Sequence, residues 1–218
     1  MKITKFIMTV CLLLIFSFAA LPKGASTITG DQALQKLVAG NKRYVRIAFL
    51  HPDQTRKRRT QVATGQAPFA IVLSCSDSRV PPELVFDQGL GDLFIIRVAG
   101  NVVSNEVLGS IEYAAEHFGS PLVMVLGHER CGAVDATVQG GEAPGHIGSL
   151  VDAIKPAVEK VKGKPGDLLD NAVRANIELV ADQLANSKPI LSEFVHNGKL
   201  KVVGARYDLD TGVVEIIK

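Results

Sequence analysis

Three short apolar runs, at residues 69–74, 93–98 and 122–126, constrain this chain more than any other feature. None of them alternates apolar with polar residues, so each is expected to be a strand buried on both faces, as in the core of a parallel sheet. Between the second and third runs, Ser104 reads as a helix N-cap. Val107, Leu108, Ile111, Ala115 and Phe118 then form a helical stripe, and Gly119 falls just past the helix end. Strand, crossover helix and strand make a βαβ unit. The expected fold is α/β, a mixed sheet with a parallel core flanked by helices.

Apolar residues at helical spacing from Asp31 to Val45 (Leu34, Leu37, Val38 and Tyr44) predict an N-terminal helical arm ahead of the sheet. The polar stretch 48–67 carries Arg56-Lys57-Arg58-Arg59. A nucleic-acid patch is one reading of that block. A solvated or salt-bridged arm suits a chain of net charge +2 better, and neither nucleic acid nor a charged membrane surface is expected as a partner. The C-terminal third predicts helices over 150–161, where Pro156 should kink or break the element, over 168–184, and over 190–195 before Gly198. Residues 200–207, a turn at 208–212 and residues 213–217 read as a hairpin at one sheet edge.

Length and composition fit one domain over 27–218; the 47% of hydrophobic residues supply a substantial core. Residues 1–26 read as a signal peptide: Lys2 and Lys5 precede an apolar run at 6–21, and Gly24-Ala25-Ser26 follows. An uncleaved signal anchor is the competing reading, although the run is short for a span of about 20 residues. Cleavage would remove three lysines and no acid, taking the formal charge from +2 to −1. The mature protein is then expected to be exported, periplasmic or secreted, with no stable membrane insertion. Of the three cysteines, Cys75 and Cys131 would remain. An exported pair ordinarily suggests a disulfide, but the residues around these two favour a metal.

Cys75-Ser76-Asp77-Ser78-Arg79 directly follows the first predicted strand, and His128-Glu129-Arg130-Cys131 follows the third. Loops leaving the carboxyl ends of parallel strands meet at one edge of the sheet, where open α/β sheets bind ligands. Cys75, His128 and Cys131 supply two thiolates and an imidazole, a donor set suited to tetrahedral Zn²⁺ with one position left open. None of the other four histidines, His51, His117, His146 and His196, has a matching context. In an extended loop, residues 75, 77 and 79 point to one side. Arg79 can therefore clamp Asp77 by a bidentate bond. Unclamped, Asp77 is itself a candidate fourth metal ligand.

Cys-Ser-Asp-Ser-Arg followed by Gly-His-Glu-Arg-Cys-Gly resembles the β-class carbonic anhydrase family, and the similarity runs from about Asp31 to the C-terminus. It includes Gln66 and the segment from Gly91 to Asn101. The resemblance implies one Zn²⁺ per subunit on Cys75, His128 and Cys131, a catalytic dyad of Asp77 and Arg79, and a homodimer or higher homo-oligomer with sites at subunit interfaces. It further implies that Gln66 donates to bicarbonate, and that Phe94, Val98 and Gly132 line the carbon dioxide site. Read without it, Gln66 is an exposed loop residue, and Phe94 and Val98 are core. Some members place a tryptophan where this chain has Val72, to close an allosteric bicarbonate pocket. Its lack here predicts an open site at neutral pH, with Asp77 off the metal.

The reaction so implied is reversible hydration of carbon dioxide to bicarbonate and a proton, by hydroxide generated at zinc. Two alternatives stand beside it. The same site could hydrolyse carbonyl sulfide or carbon disulfide, or the chain could be a non-enzymatic thiol-redox or zinc-binding protein, which would suit a Cys-x-x-Cys spacing better. A dinucleotide module is disfavoured because neither G-x-G-x-x-G nor a Walker A loop occurs. Two thiolates cancel the charge of Zn²⁺ and weaken it as a Lewis acid. Hydration should therefore be fastest on the alkaline side of neutrality, and a rate flat between about pH 6 and 9 would contradict this.

Overall fold

A computed structural model of the chain describes residues 28–218. The expected signal peptide lies outside the described residues. Among the described residues, no helix is long and apolar enough to cross a membrane.

The arm begins with helix α1 (Gly30–Val45), opened by a capping box in which Thr29 and Gln32 exchange bonds of 2.9 and 3.2 Å. Helix α2 (Arg56–Val62) follows, with Thr55 as its N-cap. The basic block is therefore a helix, which the polar composition of the stretch did not suggest. Arg58 donates to the Leu90 carbonyl at 2.8 Å and pairs with Asp92 at 3.3 Å, which makes the block partly a salt-bridged arm.

Then come β1 (Ala70–Ser74), the short helix α3 (Pro82–Val85), β2 (Leu93–Arg97) and a 3₁₀ turn (Ala99–Asn101). Helix α4 (Asn105–His117) starts at Ser104, and Gly119 follows its end with φ 60°. After it lie β3 (Leu122–His128), α5 (Gly132–Gln139), α6 (Ile147–Val161), α7 (Leu168–Ala185) and α8 (Ile190–His196). The chain closes with β4 (Lys201–Tyr207) and β5 (Val214–Ile216). Helix α6 runs through Pro156 without a break, contrary to one of the two outcomes expected there.

The strand order is β2-β1-β3-β4-β5. The first three pairings are parallel, and only β4–β5 is antiparallel, giving the expected edge hairpin. Alternate residues of the central strands feed opposite layers. Ile71, Leu73, Val123 and Val125 join the core under α4, α6 and α7. Ala70, Val72, Leu122, Met124 and Leu126 face Ala33 and Leu37 of α1. Both faces are covered, which explains the unalternating runs of β1 and β3; β2, expected to be buried as well, lies at the sheet edge and is only half-buried. Val72 is fully buried in the α1 layer.

One buried carboxylate ties the arm to the body. The Asp87 side chain is 1% exposed and pairs with Arg43 of α1. It also accepts from the amides of Leu50 and His51, each at 3.1 Å. Burial pushes its carboxyl up, but these bonds outweigh burial and leave it lowered. A lowered carboxyl stabilises the fold above its unfolded pKa of about 3.9, and that contribution fades as the pH falls through the folded value. Asp87→Asn should cost about 3 kcal/mol near pH 7. In urea denaturation, the gap from the parent protein should narrow as the pH drops below about 4.

Candidate metal centre

Strands β1 and β3 are parallel neighbours with Ser74 opposite Leu126. Cys75 thus lies one residue past β1, His128 ends β3, and Cys131 stands as the N-cap residue of α5. The expected convergence at the carboxyl edge is realised: one ligand atom from each of the three lies within 4.8 Å of the others. The two sulfurs are 4.0 Å apart, and both cysteines are free. A tetrahedral zinc with Zn–S bonds of ~2.3 Å would hold two sulfurs about 3.8 Å apart. The spacing therefore fits that metal and is too wide for a formed disulfide.

His128 is fully buried. Its Nδ1 meets the Glu129 carbonyl at 2.8 Å, which fixes that nitrogen as the donor and leaves Nε2 as the acceptor. Nε2 has no hydrogen-bond partner. A buried lone pair aimed at two sulfurs is the arrangement a metal ligand requires.

The Cys75 and Cys131 thiols are electrically linked. The neighbouring Cys131 sulfhydryl favours a Cys75 thiolate, overcomes the opposing effect of burial, and lowers Cys75. Cys131 is raised correspondingly, first by Cys75 and then by burial. Zn²⁺ held between the two sulfurs would favour ionisation of both.

Asp77 is turned toward Arg79, not into the ligand cluster. Its Oδ1 accepts from the Arg79 amide and Nε, both at 2.9 Å, and its Oδ2 from Nη2 at 2.7 Å. Arg79 holds the carboxyl far below the usual carboxylate range, so it is ionised at any working pH. Oδ2 still lies 3.7 Å from His128 Nε2, beside the metal position. The structure thus pairs Asp77 with Arg79, and both carboxylate oxygens accept from the guanidinium.

The substrate residues divide into two groups. The Val98 amide donates to the Ser74 carbonyl at 3.1 Å, so Val98 sits beside Cys75. Gly132 is exposed next to Cys131, with open space where a side chain would be. Phe94, however, pairs with Ile71 near the start of β1 and packs on Phe118, ring centroids 6.0 Å apart. Gln66 precedes β1 and lines an open groove with Tyr113 and Phe118. At ~3.3 Å per residue, Phe94, opposite Ile71, lies about 13 Å from Cys75 along the strand direction, and Gln66, which precedes β1, lies farther. Gln66 and Phe94 cannot reach the cysteines of their own chain.

Three residues that sequence reasoning gave no role also hold the site. Arg97 donates through Nε to the Cys75 carbonyl at 3.0 Å and through Nη2 to the Asp77 carbonyl at 2.6 Å. The Gly100 amide meets the Cys75 sulfur at 3.3 Å. Glu129 accepts from the Leu209 amide at 3.2 Å and fastens the His128 loop to the β4–β5 turn. Arg97 and Gly100 lie in the segment that carried the family resemblance, but no spacing rule marks them.

A second convergence, of Glu129, Asp208 and Asp210, is matched by cations of the protein itself. Arg130 bonds Asp210 at 2.8 Å, and Arg206 faces Glu129 and Asp208 at 3.8 and 3.5 Å. The cysteine–histidine cluster has no such counter-charge within it. Purified protein should carry about one equivalent of zinc, and Cys75→Ser or Cys131→Ser should retain less than about a tenth of that by elemental analysis.

Comparison with known proteins agrees with this geometry. The family model described as carbonic anhydrase matches residues 70–214. Carbonic anhydrase 2 of Mycobacterium tuberculosis is 40% identical over 185 residues, covering 83% of this chain and 89% of the relative. A carbonic anhydrase of Mycolicibacterium smegmatis is 39% identical over 190 residues, covering 84% and 91%. Among solved structures, the β-carbonic anhydrase CcaA superposes with a TM-score of 0.68 at 26% identity, covering 85% of this chain and 95% of that one.

Proposed function

The chain belongs to the β-class carbonic anhydrase family, and on that premise we propose that it reversibly hydrates carbon dioxide at a zinc ion held by Cys75, His128 and Cys131. The observation that carries the proposal is the unpartnered, fully buried His128 Nε2 beside two free sulfurs 4.0 Å apart. Bound zinc would supply the Lewis acid that allows water to lose a proton near neutrality.

The remaining work falls to side chains. Asp77, ionised and clamped by Arg79, accepts a hydrogen bond from the attacking water and turns its lone pair toward the carbon of CO₂. The clamp would also keep the Asp77 carboxylate from serving as a metal ligand itself. Val98 and Gly132 form the wall on this side, apolar and unobstructed.

Gln66 and Phe94 complete the pocket only if another subunit supplies them, because β1 lies between them and Cys75 within one chain. Their shared position at the opposite end of β1 and β2 supports this reading: both would arrive together on one partner surface. We therefore read the active unit as a homodimer or a higher homo-oligomer. Export of the mature protein would place Cys75 and Cys131 in an oxidising compartment, where metal loading competes with disulfide formation.

Stopped-flow CO₂ hydration tests the proposal, with carbonyl sulfide and carbon disulfide as competing substrates. Hydration should predominate. Asp77→Asn, which keeps the shape but removes the charge, should lower kcat by about a hundredfold while retaining zinc. Zinc-loaded protein without CO₂ hydration would overturn the proposal.

A further inference from the structure

The Cys75 sulfur accepts a backbone hydrogen bond from Gly100, at 3.3 Å. Gly100 sits in the 3₁₀ turn with φ 71°, a conformation that side-chain-bearing residues rarely adopt. A Cβ there would meet Ile154 Cδ1 at 2.7 Å and Ala133 Cβ at 3.2 Å, so the turn is wedged against α6 and the start of α5, close behind Cys131.

Three residues of 3₁₀ turn hold themselves weakly. The turn's own closing bond runs from the Asn101 amide to the Val98 carbonyl at 2.9 Å, and it leaves the Gly100 carbonyl to be oriented from outside. That outside hold is Asn176 of α7, whose Nδ2 donates to the Gly100 oxygen at 2.9 Å. The amide and carbonyl of Gly100 belong to peptide units on either side of its Cα. Fixing the carbonyl therefore limits how far the amide can swing away from the sulfur.

Asn176 is 1% exposed, and its Oδ1 has no partner. A buried amide with an unmet acceptor is a poorer core residue than an apolar one of the same size. Its donor is the part with a counterpart on the page. On the other side of Cys75, Arg97 holds the main chain through the Cys75 and Asp77 carbonyls. At the sulfur end, the Gly100 amide donates to Sγ.

We propose that Asn176 is a positioning residue for Cys75, acting through Gly100 to aim the sulfur and stabilise it as a metal ligand; this rests on the zinc reading above. Outer partners of this kind fix ligand orientation and charge, and losing one weakens metal binding by about ten- to a hundredfold.

The test compares the whole parent chain with Asn176→Leu, which keeps the branched shape and loses the donor. Leu184→Ala serves as a control: Leu184 is fully buried on the same helix, about 12 Å further along its axis. Zinc affinity is read by chelator competition, and the sulfur-to-metal charge-transfer band is read after cobalt substitution. Asn176→Leu should bind zinc at least about tenfold more weakly and shift the cobalt band. Leu184→Ala should lower Tm and leave both readouts unchanged.

Parent-like zinc affinity and cobalt spectrum in Asn176→Leu would overturn the positioning role and leave the zinc site intact. Parent protein that binds neither metal would overturn the zinc reading, and this inference with it. If Asn176→Leu yields no folded protein, Asn176→Ser, polar but too short to reach Gly100, is judged by the same two outcomes.

Discussion

The site depends first on the parallel pairing of β1 with β3. Its register sets Ser74 against Leu126, so β3 continues two residues past the end of β1. On its other flank, β4 holds β3 to the end, with His128 opposite Tyr207. The flank left free by β1 is where the chain turns off at Cys75. A one-residue slip would send His128 to the opposite face of the sheet and remove the imidazole from the sulfurs. Gly127 secures the same corner. A Cβ at that position would fall 2.5 Å from Ile177 of α7, so the helix packs against bare backbone just before the histidine.

Charge explains how the site can be buried at all. Two cysteines and a histidine lie almost wholly out of solvent, without a cationic side chain among them. Burying one unpaired charge is costly, and two adjacent thiolates more so. Each sulfur shifts the other's thiol, Cys75 downward and Cys131 upward, so the two cannot ionise independently. A divalent cation resolves the conflict, since two thiolates and Zn²⁺ sum to zero. Asp77 and Arg79 form a second neutral unit at the rim. The two units can then sit close together without repulsion.

Much of this was legible in the sequence. Unalternating runs gave β1 and β3, because strands covered on both faces have no polar side to display; the run at 93–98 also gave a strand, but β2 lies at the sheet edge and is only half-buried. The ligand trio was readable because strand ends in a parallel sheet share an edge. Helix α2 was not readable, since its stability comes from the Thr55 cap and from Arg58 reaching Asp92, not from an apolar stripe. Of the kink or break expected at Pro156, the break does not occur: α6 continues through it with Ile154, Ala157 and Val158 buried on either side. The roles of Gln66 and Phe94 came from resemblance alone, and the length of β1 is what sets them apart from Cys75 within one chain. Asn176 left no signal, because one buried amide in a helix resembles any other polar residue until its partner is known.

Two arginines near the metal position illustrate how side-chain shape, beyond charge, organises the loop. Arg79 presents its fork to a carboxylate and holds both oxygens of Asp77. Arg97 presents the same fork to two main-chain carbonyls, those of Cys75 and Asp77, and holds the loop itself. A lysine ammonium is a compact point charge that would satisfy one oxygen at a time. At position 79 it would leave Asp77 free to rotate toward the cation. At position 97 it would let the Cys75 and Asp77 peptides move independently. The geometry of the reaction thus rests on planar groups spanning fixed pairs of acceptors: one pair sets where the carboxylate points, and the other sets where its backbone begins.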